Sequence, residues 1–112
     1  MREDGKLDYL ELPGGDLGAV KAFYGAAFGW TFQDYGPTYA AFDQGLDGGF
    51  DADAAPDAKP LPVLFARDLE AMAAKVEAAG GRIVKPIFAF PGGRRFHFRD
   101  PAGNELAVWS ET

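Results

Sequence analysis

The sequence has no cysteine, which removes three chemistries at once: a disulfide framework, a thiolate zinc site and a cysteine nucleophile. It has a single histidine, His97, so any metal site would have to recruit carboxylates. No stretch approaches the roughly 18 apolar residues that span a bilayer. The opening Met1-Arg2-Glu3-Asp4-Gly5-Lys6 carries two acids where a secretory signal has a basic region and then an apolar run. A cytoplasmic protein with no membrane partner is expected. Basic charge is scarce too: 11 Lys and Arg against 17 Asp and Glu leave a net charge of −6, and the one basic cluster is Arg94, Arg95 and Arg99. Such a chain repels phosphate backbones, so nucleic acid is not an expected partner.

What is present is apolar and aromatic. The 112 residues suit one domain with one core, and ten Phe, four Tyr and two Trp supply large side chains to fill it.

Leu7 to Leu12 reads as a strand ended by the turn Pro13-Gly14-Gly15. Asp16 offers a helix N-cap, after which Val20, Phe23, Tyr24, Ala27 and Phe28 recur at helical spacing until Gly29 supplies a left-handed stop. The helix is Leu17 to Phe28. Trp30 to Tyr35, Thr38 to Asp43 and Leu46 to Phe50 follow as strands, giving a first module over about 7–50. Asp51 to Pro60 has two prolines and no large apolar residue, and reads as a linker.

The plan then repeats over about 61–109: a strand at Leu61 to Ala66, an N-cap at Asp68, and a helix with Leu69, Met72, Ala73, Val76 and Ala79 on one face. Strands follow at Arg82 to Phe90, broken near Pro86, then Arg94 to Arg99 and Glu105 to Trp109. Both helices open Asp-Leu, and both reach a glycine 13 residues after the Asp, Gly29 and Gly81, so a 52-residue offset links the halves. The fold class is α+β, with two tandem β-α-β-β-β modules in a single domain of residues 1–112.

Asp16-Leu17 with Phe23-Tyr24 and Phe28-Gly29-Trp30 resembles the first-module signature of the glyoxalase, bleomycin-resistance and extradiol-dioxygenase (vicinal oxygen chelate) superfamily. Asp100-Pro101-Ala102-Gly103-Asn104 resembles its second-module signature. The resemblance spans Leu7 to Trp109. It implies curved sheets around a ligand-holding cup, with the helices outside. Turn chemistry alone also explains the second motif, since Pro101 fixes φ, Gly103 tolerates positive φ and Asn104 can bond its own backbone.

Metal-dependent members of that family bind a divalent ion through the first, fifth and eighth strands. The family spacing puts those ligands at Tyr9, Leu61 and Ala107, none of them an ordinary metal ligand. No metal and no other cofactor is therefore expected. Strand alternation places Glu11 beside Tyr9, Val63 and Phe65 beside Leu61, and Glu105 and Trp109 beside Ala107. His97 lies three before Asp100, where some fosfomycin-resistance relatives contact substrate, and Arg95 shares its face. The implied cup is lined by Tyr9, Val63, Phe65 and Trp109, with Glu11, Arg95, His97 and Glu105 as its polar groups. Glu11 and His97 are the candidate catalytic residues, since a carboxylate or neutral imidazole among aromatic walls can act as a general base. A structural pairing of Glu11 with Arg95 or His97 accounts for the same charges. Tyr39 and Phe50 suit either the rim or the packing, whereas Phe96 and Phe98 point toward the helices.

Three functional readings follow. One is a metal-independent enzyme, such as a lyase or isomerase of a small oxygenated metabolite, and another is a sequestering protein for a drug or metabolite, which the aromatic walls and net acidity would suit if the ligand is cationic. The third is a regulatory module whose cup is filled by its own side chains. Relatives of this length suggest a homodimer.

Overall fold

The structure, a computed structural model, describes residues 2–55 and 57–112; Met1 of the N-terminal run and Pro56 of the linker lie outside them. The described elements run β1 (Leu7–Pro13), α1 (Leu17–Phe28), β2 (Gln33–Asp34), β3 (Tyr39–Asp43), β4 (Asp47–Asp51), β5 (Leu61–Phe65), α2 (Leu69–Ala78), β6 (Arg82–Phe90), β7 (Gly93–Arg99) and β8 (Glu105–Ser110). The fold is α+β and reads β-α-β-β-β twice. The repetition extends to hydrogen bonding: the first strand of each module lies parallel to the last, as β1 to β4 and β5 to β8, while the other pairs within each module are antiparallel. Contacts divide the chain into two units, one holding Asp8 and the residues before it with Leu61–Thr112, the other Tyr9–Pro60.

In the Tyr9–Pro60 unit the strand order is β2-β3-β4-β1. Helix α1 starts where the Ala19 N–H donates to Asp16 Oδ1 at 3.1 Å and stops at Gly29, whose φ of 73° is left-handed. Its Tyr24 stacks on Trp30 at 4.8 Å and meets Phe50 at 5.3 Å, and Phe42 closes the cluster against both Trp30 and Phe50. Phe50 is therefore core and not rim. The strand expected over Trp30 to Tyr35 shrinks to two residues because Trp30 and Phe32 turn into this aromatic core, leaving only Gln33 and Asp34 to pair with β3.

In the other unit the order is β5-β8-β7-β6. Leu69, Phe96, Val108 and Ala66 form a buried core beneath α2, with Leu64, Met72, Ala73, Val76, Ile83, Ile87 and Phe98 packed around it. Burying a leucine such as Leu69, which is 0% exposed, contributes about 1.5–3 kcal/mol. The Ala71 N–H donates to the Asp68 cap at 3.0 Å. The stop differs from α1: Gly80 takes the positive φ, 102°, and Gly81 is small because a Cβ there would press on Val76. Strand β6 runs through Pro86, with register shifts between Ile83 and Lys85 and between Lys85 and Phe88 absorbing it. The N-terminal residues join the β5 edge, where the Gly5 N–H donates to the Phe65 carbonyl at 2.8 Å and the Phe65 N–H to the Lys6 carbonyl at 3.1 Å. Among the described residues no helix is long and apolar enough to cross a membrane.

Candidate functional site

Residues directly opposite on neighbouring strands share a face. The register pairs Arg82 with Arg99, Lys85 with His97, Phe88 with Arg95, Arg95 with Trp109, His97 with Ala107, Arg99 with Glu105, Val63 with Ala107 and Phe65 with Trp109. Val63, Phe65, Arg95, His97, Glu105 and Trp109 thus lie together on the sheet face opposite α2. Their neighbours Arg94, Phe96 and Phe98 alternate onto the helix side, where Arg94 forms a 2.6 Å ion pair with Glu70.

His97 is the centre of this face. It is 4% exposed, and its Nδ1 lies 2.9 Å from Glu105 Oε2. A carboxylate can only accept, so Nδ1 carries the hydrogen and the neutral ring presents Nε2 as an acceptor. Among the described residues Nε2 is buried with no hydrogen-bond partner. Such a group costs about 1–3 kcal/mol when left unsatisfied. Burial, the largest influence, pushes the His97 pKa below its usual 6.5; Glu105 opposes this through its hydrogen bond and charge, while Arg95 and Lys85 reinforce it. The imidazole is therefore neutral near pH 7.

Glu105 is itself held from behind. Its Oε1 lies 3.5 Å from an Arg99 nitrogen, and Arg99 donates to the Gly103 carbonyl at 3.1 Å. That carbonyl belongs to the Asp100–Asn104 loop, where Asp100 accepts from the backbone N–H groups of Ala102 and Asn104, each at 2.9 Å, and from the Asn104 amide at 3.0 Å. The Asn104 side-chain and backbone bonds, with lesser help from Ala102 and Gly103, hold the Asp100 carboxyl below its ordinary range. The loop signature thus has a mechanical consequence: it fixes Arg99, which braces Glu105, which orients His97.

The aromatic walls carry the chain's own cations. Arg95 lies 5.5 Å over Phe88 and 5.6 Å over Phe90, and Arg2 lies 5.0 Å over Trp109. The Trp109 indole N–H donates to Asp8 Oδ2 at 2.8 Å, and Arg2 pairs with the same oxygen at 3.1 Å. Sequence reasoning missed this Arg2–Asp8–Trp109 cluster, for which no local motif exists. It missed Phe88 also, 5.8 Å from the His97 ring and visible only once the β6 register is known.

Tyr9 and Glu11 belong to the other unit. There the Tyr9 and Tyr39 hydroxyls hydrogen-bond, with Tyr39 crossing β4 above Gly49, where a Cβ would overlap the tyrosine ring. Glu11 pairs in register with Gly49. The signal for this arrangement was the Gly48-Gly49 pair within a strand, which marks a close approach.

A shallow cavity of about 330 Å³ is lined by Arg2, Phe65, Arg67, Ser110, Glu111 and Thr112 and does not include His97. Of the three positions where the family resemblance puts metal ligands, Leu61 and Ala107 have no donor atom. Among the described residues no three His, Asp or Glu side chains gather as a ligand set. The side chains present do not fit the metal of the metal-dependent members.

Comparisons with known proteins bear on the fold and family. No curated protein matches the chain significantly. NAD-dependent benzaldehyde dehydrogenase from Legionella pneumophila superposes with a TM-score of 0.76 at 16% identity, over 93% of this chain and 98% of that one. Methylmalonyl-CoA epimerase from Mycobacterium tuberculosis gives 0.70 at 14% identity, over 100% and 91%. The Mn(II)-bound glyoxalase from Novosphingobium aromaticivorans gives 0.61 at 27% identity, over 92% of this chain but 37% of that one. The family model of the Glyoxalase/Bleomycin resistance protein/Dioxygenase superfamily matches residues 6–108, and with the twice-repeated β-α-β-β-β pairing this makes the chain a member of that superfamily.

Proposed function

We propose that the chain is a metal-independent enzyme that binds a small oxygenated molecule on the sheet face around His97 and isomerises it by proton transfer. The buried Nε2 of His97, unsatisfied while Nδ1 is tied to Glu105, carries this reading. The lone pair of Nε2 accepts a proton from a carbon beside a carbonyl, and the C–H electron pair passes into that carbonyl as an enolate. Glu105 stabilises the imidazolium so formed. The imidazolium N–H exchanges with solvent, and one proton returns from Nε2 to the substrate at another position, so the step balances without a further reactant. Val63, Phe65 and Trp109 supply the apolar wall, and Arg95 a fixed positive charge. Sequestration of a cationic aromatic ligand is less well supported, because Arg2 and Arg95 already cover the Trp109, Phe88 and Phe90 rings.

Within the Tyr9–Pro60 unit, Tyr9 and Glu11 are proposed as ligand contacts in their own right, with Glu11 a second candidate catalytic group. A homodimer is proposed as well. It is supported by α1, which has no buried residue and leaves Phe23 58% and Phe28 64% exposed. A monomer by light scattering at tens of micromolar would refute the dimer.

The test of the catalytic reading is deuterium exchange. Small 2-oxo and 2-hydroxy compounds incubated with the protein in D2O should take up deuterium, and His97→Gln should abolish the uptake. Exchange at an undiminished rate in His97→Gln overturns the reading.

A further inference from the structure

The chain is acidic overall, yet its β6–β7 hairpin is not. Residues 82–99 hold five of the eleven Lys and Arg and no Asp or Glu. Register sorts these cations by face: Arg94 goes to the helix side and pairs with Glu70, whereas Arg82, Lys85, Arg95 and Arg99 share the face of His97. The acid supplied to this face by β8 is Glu105, which is engaged by His97 and Arg99. Arg82 and Lys85 are exposed at the outer strand. A concentration of one sign of charge beside a low-dielectric wall focuses its field on ligands of the opposite sign. The unsatisfied, buried Nε2 marks where such a ligand would present a proton.

We infer that the molecule taken at His97 is an anion, bearing a carboxylate or a phosphate that is attracted by the cationic face of the β6–β7 hairpin while its acidic proton is directed to Nε2. This rests on the catalytic reading above and adds the substrate class to it. The net acidity of the chain, by itself, would favour the opposite sign of ligand. The hairpin reverses that locally.

The experiment uses the fact that His97 is the only histidine, so its ring resonances are unambiguous in solution. Malonate and inorganic phosphate are titrated against the intact protein, with malonamide as the neutral match of malonate. At least one anion should shift the His97 ring signals saturably, and malonamide should not. Malonate acting alone assigns the anion as a carboxylate, and phosphate acting alone as a phosphate. The double variant Arg82→Gln/Lys85→Gln, changed only at exposed side chains, should bind that anion about threefold or more weakly. Equal shifts with malonamide, no shift with either anion, or undiminished affinity in the double variant each overturn the inference. The two proposals fail separately. Deuterium exchange that depends on His97, with malonamide and malonate binding alike, removes the anion and keeps the base; anion-selective shifts with exchange indifferent to His97→Gln do the reverse.

Discussion

Glu105 Oε2 lies 2.9 Å from His97 Nδ1, and Arg99 and the Asp100–Asn104 loop stand behind that carboxylate. A charged acceptor in this place favours the imidazolium, so its loss should be visible on the ring. Glu105→Gln keeps an acceptor for Nδ1–H but removes the charge. The His97 pKa should fall further in that variant by NMR titration, and exchange should slow about tenfold or more. A rise in the His97 pKa would show that Glu105 is not its main counter-charge.

Because burial holds the folded His97 pKa below 6.5, the unfolded chain takes up a proton first as the pH falls. The stability linked to this residue is therefore fully present above about 6.5 and is lost as the pH falls from there through the lowered folded value. The charged groups of its own unit that act on it are Lys85 on β6, Arg95 on β7 and Glu105 on β8, with Arg99 behind Glu105. Denaturant melts between pH 7 and pH 5 should show wild type losing more stability than His97→Gln. A parallel loss in the two proteins would contradict the assignment.

The tyrosine pair depends on Gly49. Gly49→Ala should destabilise by about 1–3 kcal/mol, since a Cβ meets the Tyr39 ring. Tyr39→Ala in the same chain should recover part of that cost. Urea melts of the single and double variants test this, and an additive double variant would show that the crowding is not between these two residues.

Leu69, fully buried in the first turn of α2, joins the helix to Phe96 and Val108. Leu69→Ala should cost about 2–5 kcal/mol in chemical denaturation. Asp68→Ala, which removes only the cap, should cost about 1 kcal/mol. Equal costs would mean that the helix is held by its cap rather than by packing.

Local chemistry made much of the fold legible. Asp16 and Asp68 announced the helix starts, Gly29 the first stop, and strand alternation placed Val63, Phe65, Arg95, His97, Glu105 and Trp109 on one face. The second stop is less legible, because Gly80 and Gly81 are adjacent and their different duties, positive φ and close packing, leave no mark on sequence. Trp30 and Phe32 carry strand-like propensity but spend it on the aromatic core, a tertiary choice. The hydrogen-bond partner of Trp109 is Asp8, 101 positions away, and no periodicity reaches that far.

The central claim is that His97 stands in the folded protein as a neutral base, hydrogen on Nδ1 and lone pair on Nε2. Long-range 1H–15N correlation of the single imidazole at pH 7 reads this directly. The account predicts the neutral Nδ1–H tautomer, with the unprotonated nitrogen assigned to Nε2. A protonated Nε2, whether in the other tautomer or in the imidazolium, would contradict it.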